Sequence, residues 1–226
     1  MGWGGWIERV EVEPSLYAAD FLRLGEQLDS LLDAGARVFH VDVGDGHFIP
    51  PVTIGPVVVR SVAPPVHAAG GRLDCHLMVD APTAHFGQIR EAGGDSVTFH
   101  LEVAADVRAA IALAREHDLA VGVACNPDTP IEQLAAAAGH GVDLLLVMSV
   151  HPGYSGQAFI PGSLDRVRRL RELVGPDVLI QVDGGVTADN ARAVRDAGAS
   201  LIVAGSSVFY QDDIGRAFRG LAAAVG

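Results

Sequence analysis

Along the chain, short apolar runs rich in Val, Ile and Leu alternate with longer segments rich in Ala, Leu and Arg. This alternation is typical of a parallel β-sheet whose strands are connected by helices that pack against it. Eight apolar runs predict strands at residues 10–17, 37–43, 73–79, 96–101, 119–125, 143–149, 178–183 and 200–204. Helical periodicity follows the strands and is clearest at residues 22–34, 105–117, 164–174 and 190–197.

Eight evenly spaced strand–helix units indicate the α/β class and, within it, a single (β/α)8 TIM barrel. An open, doubly wound sheet is the alternative, and the lack of a GxGxxG string after the first strand argues against it. Glycines at Ala34-Gly35-Ala36 and Ala197-Gly198-Ala199 are expected to end helices just before a strand. We therefore predict one domain over residues 1–226, with residues 1–9 as a flexible N-terminal extension.

The composition narrows the classes of function. A chain of 226 residues that is 49% hydrophobic can bury a substantial core. Its net charge of −12 argues against nucleic acid as a partner, because phosphate backbones bind clusters of positively charged side chains. The chain has no lysine, which excludes enzymes that form a Schiff base through a lysine amine. The two cysteines, Cys75 and Cys125, are expected to be buried thiols of the core.

No run of 18 apolar residues occurs in the sequence, so we expect neither a membrane-spanning helix nor a membrane partner. A cytoplasmic location follows as the expectation. Apolar faces on the helices of the barrel lead us to expect a homo-oligomer.

Polar residues collect at the predicted ends of three strands. Because side chains alternate along a strand, His40 and Asp42 share one face of the second strand, and His76 and Met78 share one face of the third. Asp183 ends the seventh strand. Catalytic groups of such barrels lie at the carboxyl ends of the strands, so two histidines and two aspartates are expected to converge there.

This set of residues predicts a metal site. Imidazole nitrogen together with carboxylate oxygen suits Zn, Fe(II), Co or Mn, whereas magnesium prefers oxygen alone. Any one of the four would be an ordinary buried polar group, but burying Asp42 and Asp183 together calls for a positive charge between them. We predict one divalent metal ion per subunit, with zinc as the first candidate. His100 ends the fourth strand, and we favour it as a hydrogen-bond partner of the ligands rather than a further ligand.

Glycine-rich segments follow the sixth, seventh and eighth strands. They are His151–Gln157, Gly184-Gly185 and Gly205-Ser206-Ser207. Glycine lets a ligand approach the backbone N–H groups closely, and barrels commonly bind phosphate at these loops. A single Gly-Gly pair is usually an ordinary turn, but the three segments together predict a phosphate site.

Several of these segments are also family motifs. They are Pro14-Ser15-Leu16, His40-Val41-Asp42-Val43, Asp45-Gly46-His47-Phe48, His76-Leu77-Met78, Asn126-Pro127, Pro152-Gly153 and Val182-Asp183-Gly184-Gly185. In this order, from Val12 to Phe209, the chain resembles the ribulose-phosphate 3-epimerase family. Each string alone is weak evidence, and the combination is specific.

The resemblance implies an isomerase that interconverts D-ribulose 5-phosphate and D-xylulose 5-phosphate, a step of the pentose phosphate pathway. It implies that His40, Asp42, His76 and Asp183 bind the metal, and that Asp42 and Asp183 are the acid and base. The substrate-binding residues that it implies are Ser15, His76, Met78, Met148, Gly153, Gly156, Gly184, Gly185, Gly205 and Ser206.

Several positions depart from the family pattern, namely Tyr17, Gly44, Pro51, Ser155 and Gln181. Gly44 stands where a methionine is typical, and the lost side chain is expected to leave room for a different ketose. The alternative substrate is therefore another ketose phosphate, such as D-allulose 6-phosphate. The alternative of another class is a barrel that binds a phosphorylated sugar without turning it over.

Overall fold

The computed structural model describes Trp3, Ile7 and residues 10–226. Eight parallel strands form its centre: β1 (Glu11–Pro14), β2 (Val38–Gly44), β3 (Arg72–Met78), β4 (Ser96–His100), β5 (Ala120–Cys125), β6 (Leu144–Met148), β7 (Leu179–Asp183) and β8 (Leu201–Ala204). They are hydrogen-bonded in the order β1-β8-β7-β6-β5-β4-β3-β2. A parallel bridge between Ser15 and His40 joins β1 to β2. The sheet is therefore closed, which confirms the predicted barrel and excludes the open sheet.

Helices cover the outside of the barrel. They are α1 (Leu24–Asp33), α2 (Pro56–Ala68), α3 (Phe86–Ala92), α4 (Val107–Glu116), α5 (Ile131–Ala137), α6 (Ser163–Val174), α7 (Ala191–Asp196), α8 (Ser206–Phe209) and α9 (Ile214–Val225). Short 3-10 turns span Leu16–Ala18, Pro82–His85, Leu101–Val103 and Ala138–His140. No helix in the described part of the chain has the length and apolar character needed to cross a membrane.

The predicted elements agree with the structure, with differences at their ends. The first strand stops at Pro14 because the chain turns into a 3-10 helix at Leu16. The first helix begins at Leu24 rather than at residue 22, since the Asp20 carboxylate accepts a hydrogen bond from the Leu22 amide and holds a turn there. Gly35 and Gly198 end their helices as predicted, and both do so with a positive φ, of 101° and 115°.

The interior of the barrel is divided into an apolar and a polar half. The apolar half comprises Trp3, Val38, Ala120, Ala124, Leu144, Leu146, Met148, Val150 and Leu201. The polar half comes from β1 to β4 and β7, with the buried residues Glu13, His40, Asp42, Asp74, His76, Ser96, Thr98, His100 and Gln181. Cys75 and Cys125 are buried and unpaired, as expected. Buried polar groups require hydrogen-bond or charge partners, so the polar half is the candidate location of a functional site.

Trp3 closes the barrel at its amino-terminal end. Its side chain is 1% exposed and belongs to the same cluster as Val38, Leu144 and Leu201, which lie at the starts of their strands. The expected extension at residues 1–9 otherwise falls mainly on positions outside the described residues.

Truncation of the Trp3 side chain, which plugs the amino-terminal end of the barrel, is expected to destabilise the fold. Trp3→Ala removes a buried aromatic side chain and should lower the free energy of unfolding by about 3–5 kcal/mol, measured by urea denaturation. Tyr210→Ala is the matched control, because Tyr210 is 65% exposed and its loss should change stability by only about 0.5 kcal/mol. Equal stability of the two variants would show that Trp3 does not support the barrel.

Candidate metal centre and active site

Four side chains converge at the carboxyl ends of the strands. His40 and Asp42 come from β2, His76 from β3 and Asp183 from the end of β7, and one ligand atom from each lies within 4.8 Å of the others. Asp42 Oδ1 is 3.3 Å from both His40 Nε2 and His76 Nδ1. Asp183 Oδ2 is 4.0 Å from His40 Nε2 and 3.8 Å from His76 Nδ1. The structure thus brings together the four residues that the sequence selected.

The arrangement has the size and the donors of a metal site. A tetrahedral ion with bonds of about 2.0–2.2 Å places its ligand atoms about 3.3–3.6 Å apart, close to the spacing found here. The donors are two imidazole nitrogens and two carboxylate oxygens, a set that suits zinc and its transition-metal neighbours. The residues present therefore fit a divalent ion.

His40 gives a further test of this fit. Its Nδ1 is 3.1 Å from Asp74 Oδ2, so it donates its hydrogen to that carboxylate. Its Nε2 is buried and has no hydrogen-bond partner among the described residues, although it faces the carboxylates of Asp42 and Asp183. A nitrogen lone pair directed at two carboxylates is repelled unless a cation or a proton lies between them. The position of Nε2 therefore favours a bound cation.

A layer of acidic and amide groups lies directly beneath His40. Glu13 and Asp74 are 0% exposed, and the Gln181 amide donates to Glu13 Oε2 at 2.6 Å and to Asp74 Oδ2 at 2.8 Å. Ser96 Oγ donates to Asp74 Oδ1 at 2.7 Å. Burial raises the pKa of Glu13 to about 7, while hydrogen bonds from His40 and Gln181 act in the opposite direction. This layer fixes the orientation of the His40 ring from below.

The electrostatics separate the two aspartates. Burial acts to raise the pKa of Asp42, but the neighbouring imidazoles of His40 and His76 outweigh it and hold the pKa well below its usual value. Burial, followed by repulsion from Asp42, raises the pKa of Asp183. Ser15 Oγ also donates to Asp42 Oδ2 at 2.6 Å. Asp42 is thus the more acidic of the two carboxyl groups, and the pair titrates as a coupled system.

His100 lies beside the four residues and outside their set. Its Nε2 is 2.8 Å from His76 Nε2, on the side of that ring that faces away from Asp42. This placement agrees with a supporting partner, the role we favoured for His100 from the sequence.

A cleft opens above the four residues, and loops from most of the barrel line it. Its lining residues are Ser15, Tyr17, Asp42, Met78, Met148, Val150, Pro152, Gly153, Tyr154, Ser155, Gly156, Gln157, Asp183, Gly184, Gly185, Val186, Val203, Gly205 and Ser206. All the residues that were expected to bind substrate are among them except His76, which lies buried below the cleft floor.

The loop after β7 requires its two glycines. Gly184 and Gly185 have φ of 117° and 66°, and a Cβ on Gly185 would lie 2.4 Å from the Phe159 amide nitrogen. The loop after β6 therefore packs directly on the loop after β7. Ser149 Oγ strengthens this contact by donating to the carbonyls of Asp183 and Gly184 at 2.9 and 2.6 Å. The two loops form one wall of the cleft.

The departures from the family pattern have different consequences. A Cβ on Gly44 would lie 2.5 Å from Ile49 Cδ1, so Ile49 fills the space and the expectation of extra room at this position is wrong. Gln181 belongs to the buried layer under His40, whereas Tyr17 and Ser155 line the cleft. Tyr17 is thus the bulky departure that faces the cleft.

Sequence reasoning did not single out three acidic residues at this site, namely Glu13, Asp74 and Glu102. Two of them carry the same signal that identified His40 and Asp42. Asp74 is two residues before His76, and Glu13 is two residues before Ser15, so period-two alternation directs both into the barrel. Glu102 follows β4 in a 3-10 turn, where alternation gives no guidance.

Comparisons with solved structures find the same fold in other proteins. In solved structures the fold recurs in 3-hexulose-6-phosphate synthase, with a TM-score of 0.70, 21% identity and coverage of 96% of this chain and 100% of that one. It also recurs in thiamine phosphate pyrophosphorylase from Pyrococcus furiosus, with a TM-score of 0.68, 18% identity and coverage of 96% and 95%. These likenesses show the barrel alone.

Fold and site together define a (β/α)8 barrel with a cluster of residues at its mouth that is able to hold a metal ion. The family model for the ribulose-phosphate 3 epimerase family matches residues 11–209, and the chain belongs to that family. Ribulose-phosphate 3-epimerase 1 of Cupriavidus necator is 41% identical, with 90% of this chain and 86% of the relative covered. The enzymes of that name from Serratia marcescens and Bacillus subtilis are 40% and 38% identical, covering 92% and 90% of this chain and 99% and 94% of theirs.

The four-residue site is expected to bind one transition-metal ion per subunit. Purified protein should contain one equivalent by elemental analysis, and a chelator should remove it and lower the unfolding temperature, because an ion that binds only the folded state stabilises it. His76→Ala should not regain a full equivalent on dialysis against zinc, whereas His117→Ala, changed at the end of α4, should. Full zinc content in His76→Ala would contradict the assignment.

Proposed function

We propose that this protein interconverts D-ribulose 5-phosphate and D-xylulose 5-phosphate by inverting the configuration at C3. The observation that carries the proposal is the pair Asp42 and Asp183, two carboxyl groups on the floor of one cleft that share the same two histidines. The relatives support the substrate through their names.

The two aspartates supply what an epimerisation needs. Inversion next to a ketone requires removal of a weakly acidic C–H proton from one face of the sugar and return of a proton to the other face. Asp42 is the more acidic of the two groups and is therefore ionised and able to accept a proton, whereas Asp183, whose pKa is raised, keeps a proton more readily and is suited to donate one. In the reverse reaction the two groups exchange these roles.

The negative charge of the enediolate intermediate must be balanced. A divalent cation held by His40, Asp42, His76 and Asp183 would supply that positive charge where the charge develops. Zinc is our first candidate, with Fe(II), Co and Mn as alternatives. Ser15 holds Asp42 by a hydrogen bond and also lines the cleft, so it is placed to orient this carboxylate toward the sugar.

The remaining walls of the cleft suit the two ends of the substrate. Met78 and Met148 line the cleft as apolar, polarisable side chains, which we propose pack against the carbon chain. We propose that backbone N–H groups of Gly156, Gly184, Gly185, Gly205 and Ser206 bind the phosphate and that Gly153 also contacts the substrate. The support for these two proposals is that the methionines and the glycine-rich loops line the same cleft. The cytoplasmic location and the homo-oligomeric state remain predictions.

Replacement of either aspartate by asparagine should abolish C3 epimerisation. Asp42→Asn and Asp183→Asn each remove one proton-transfer group, so turnover should fall by at least about 10²–10⁴-fold. Incorporation of solvent deuterium at C3, followed by NMR, separates the proton transfer from substrate binding, and metal content is measured on the same samples. Asp165→Asn on the exposed surface of α6 is the matched control. Deuterium exchange at the wild-type rate in either active-site variant would refute the two-base mechanism.

The choice of substrate is tested with a panel. Ribulose 5-phosphate should be turned over with a higher kcat/KM than D-allulose 6-phosphate, because Ile49 fills the space beside Gly44. A preference for the six-carbon sugar would overturn the proposed substrate and keep the chemistry. Phosphosugar binding without proton exchange on any ketose phosphate would instead favour the non-catalytic barrel.

A further inference from the structure

Behind His76, a chain of buried side chains leads from the metal centre to the loop after β5. His76 Nε2 lies 2.8 Å from His100 Nε2, and both rings are 0% exposed. The ring planes differ by 21° and the centroids are 5.0 Å apart, close to the largest separation that a 2.8 Å contact between ring nitrogens allows. The rings therefore meet edge to edge, as an N–H···N hydrogen bond requires.

The chain continues from His100 to Glu102. His100 Nδ1 faces Glu102 Oε2 at 3.4 Å, and this buried nitrogen makes no hydrogen bond to any described residue. Phe48 packs on the His100 ring with centroids 4.7 Å apart and limits its rotation. Glu102 is thus the polar group available to His100 on this side.

Glu102 is itself firmly held. Its Oε1 accepts hydrogen bonds from the Asn126 amide at 2.7 Å and from Thr129 Oγ1. Arg166 in turn donates to the carbonyls of Thr129 and Asn126 at 2.8 and 3.1 Å. Partial burial acts to raise the pKa of Glu102, but the facing imidazole of His100 and hydrogen bonds from Thr129 and Asn126 lower it to about 2, so the group is a carboxylate at neutral pH. The chain therefore ends in a fixed negative charge.

With a cation at the four-residue site, one arrangement of hydrogens fits this chain. If His76 Nδ1 faces a cation, that nitrogen carries no hydrogen and His76 must carry it on Nε2. His76 Nε2–H then donates to His100 Nε2, which must be bare. His100 carries its own hydrogen on Nδ1, the atom that faces Glu102. The tautomer of His76 therefore determines the tautomer of His100.

We propose that His100 and Glu102 are positioning residues that fix the tautomer and orientation of His76, so that its Nδ1 is presented to the cation. The inference rests on the proposed metal site. It goes beyond the ligand set because neither residue touches the ion or the substrate. It also couples the metal centre to the loop after β5, since that loop holds the Glu102 carboxylate.

The test measures metal affinity rather than turnover. His100→Leu removes the acceptor for His76 Nε2–H and should weaken the affinity for cobalt by about 10–100-fold in competition with a chelator. The visible absorption band of the bound cobalt should change with it. His100→Gln places an amide oxygen near the position of Nε2 and should restore much of the affinity. Glu102→Gln should weaken the affinity in the same direction and by less.

The matched control is His67→Leu. His67 also pairs with a carboxylate, its Nε2 lying 2.8 Å from Asp95 Oδ2, but the pair lies outside the barrel mouth and the His67 side chain is 37% exposed. This variant should bind cobalt like the wild type. Equal affinity and an unchanged cobalt spectrum in a folded His100→Leu would overturn the positioning role, and unchanged affinity in Glu102→Gln would overturn the part assigned to Glu102.

A second measurement needs no substitution. In the zinc-loaded wild type, long-range ¹H–¹⁵N NMR should show His76 with its hydrogen on Nε2 and His100 with its hydrogen on Nδ1. A hydrogen on His100 Nε2 would overturn the proposal even if His100→Leu does not fold. A wild-type protein that binds neither cobalt nor zinc would refute the proposed metal site itself. That outcome is distinguishable from tight metal binding that is unchanged in His100→Leu, which would refute only the positioning role.

Discussion

The structure depends on how negative charge is accommodated inside the barrel. Glu13, Asp42 and Asp74 are buried within a few ångströms of His40, and the chain contains no lysine to neutralise them. An unpaired buried carboxylate costs several kcal/mol, so each one must be matched by donors in fixed positions. The donors present are His40 Nδ1, the Gln181 amide, and the hydroxyls of Ser15 and Ser96. A cation at the four-residue site would complete this balance.

The division of the barrel interior follows from the same constraint. The apolar inner residues of β5, β6 and β8 need only fill the space between them, so their side chains can shift slightly. The polar groups opposite them must instead keep defined hydrogen-bond distances and angles. His40 shows the result, because Asp74 holds one ring nitrogen from below and Asp42 faces the other from above. The ring cannot rotate without losing both contacts. The apolar half and the Trp3 plug thus provide the rigid wall against which the polar half is set.

Much of this organisation could be predicted from the sequence, and the limits have physical causes. Period-two alternation in single strands was enough to direct His40, Asp42 and His76 into one mouth, and eight regular units were enough to predict the barrel. Glu13 and Asp74 obey the same alternation, but their importance lies in contacts between β1, β3 and β7, and those contacts depend on the register of a closed sheet. The filling of the space beside Gly44 by Ile49 depends on a loop conformation that no local pattern specifies.

A barrel supports many chemistries, so the activity must be argued from the site. Two carboxyl groups on one floor could serve a hydrolase or an isomerase. Here, however, both carboxyl groups face the same two histidines, and their pKa values are displaced in opposite directions. One group is therefore ionised and can accept a proton, while the other keeps a proton more readily and can donate it. One inversion leaves the pair in the opposite protonation state, because the proton gained by one carboxyl group matches the proton lost by the other, and the pair is then set for the reverse reaction. The same cluster can therefore catalyse both directions of an epimerisation with no net consumption of protons.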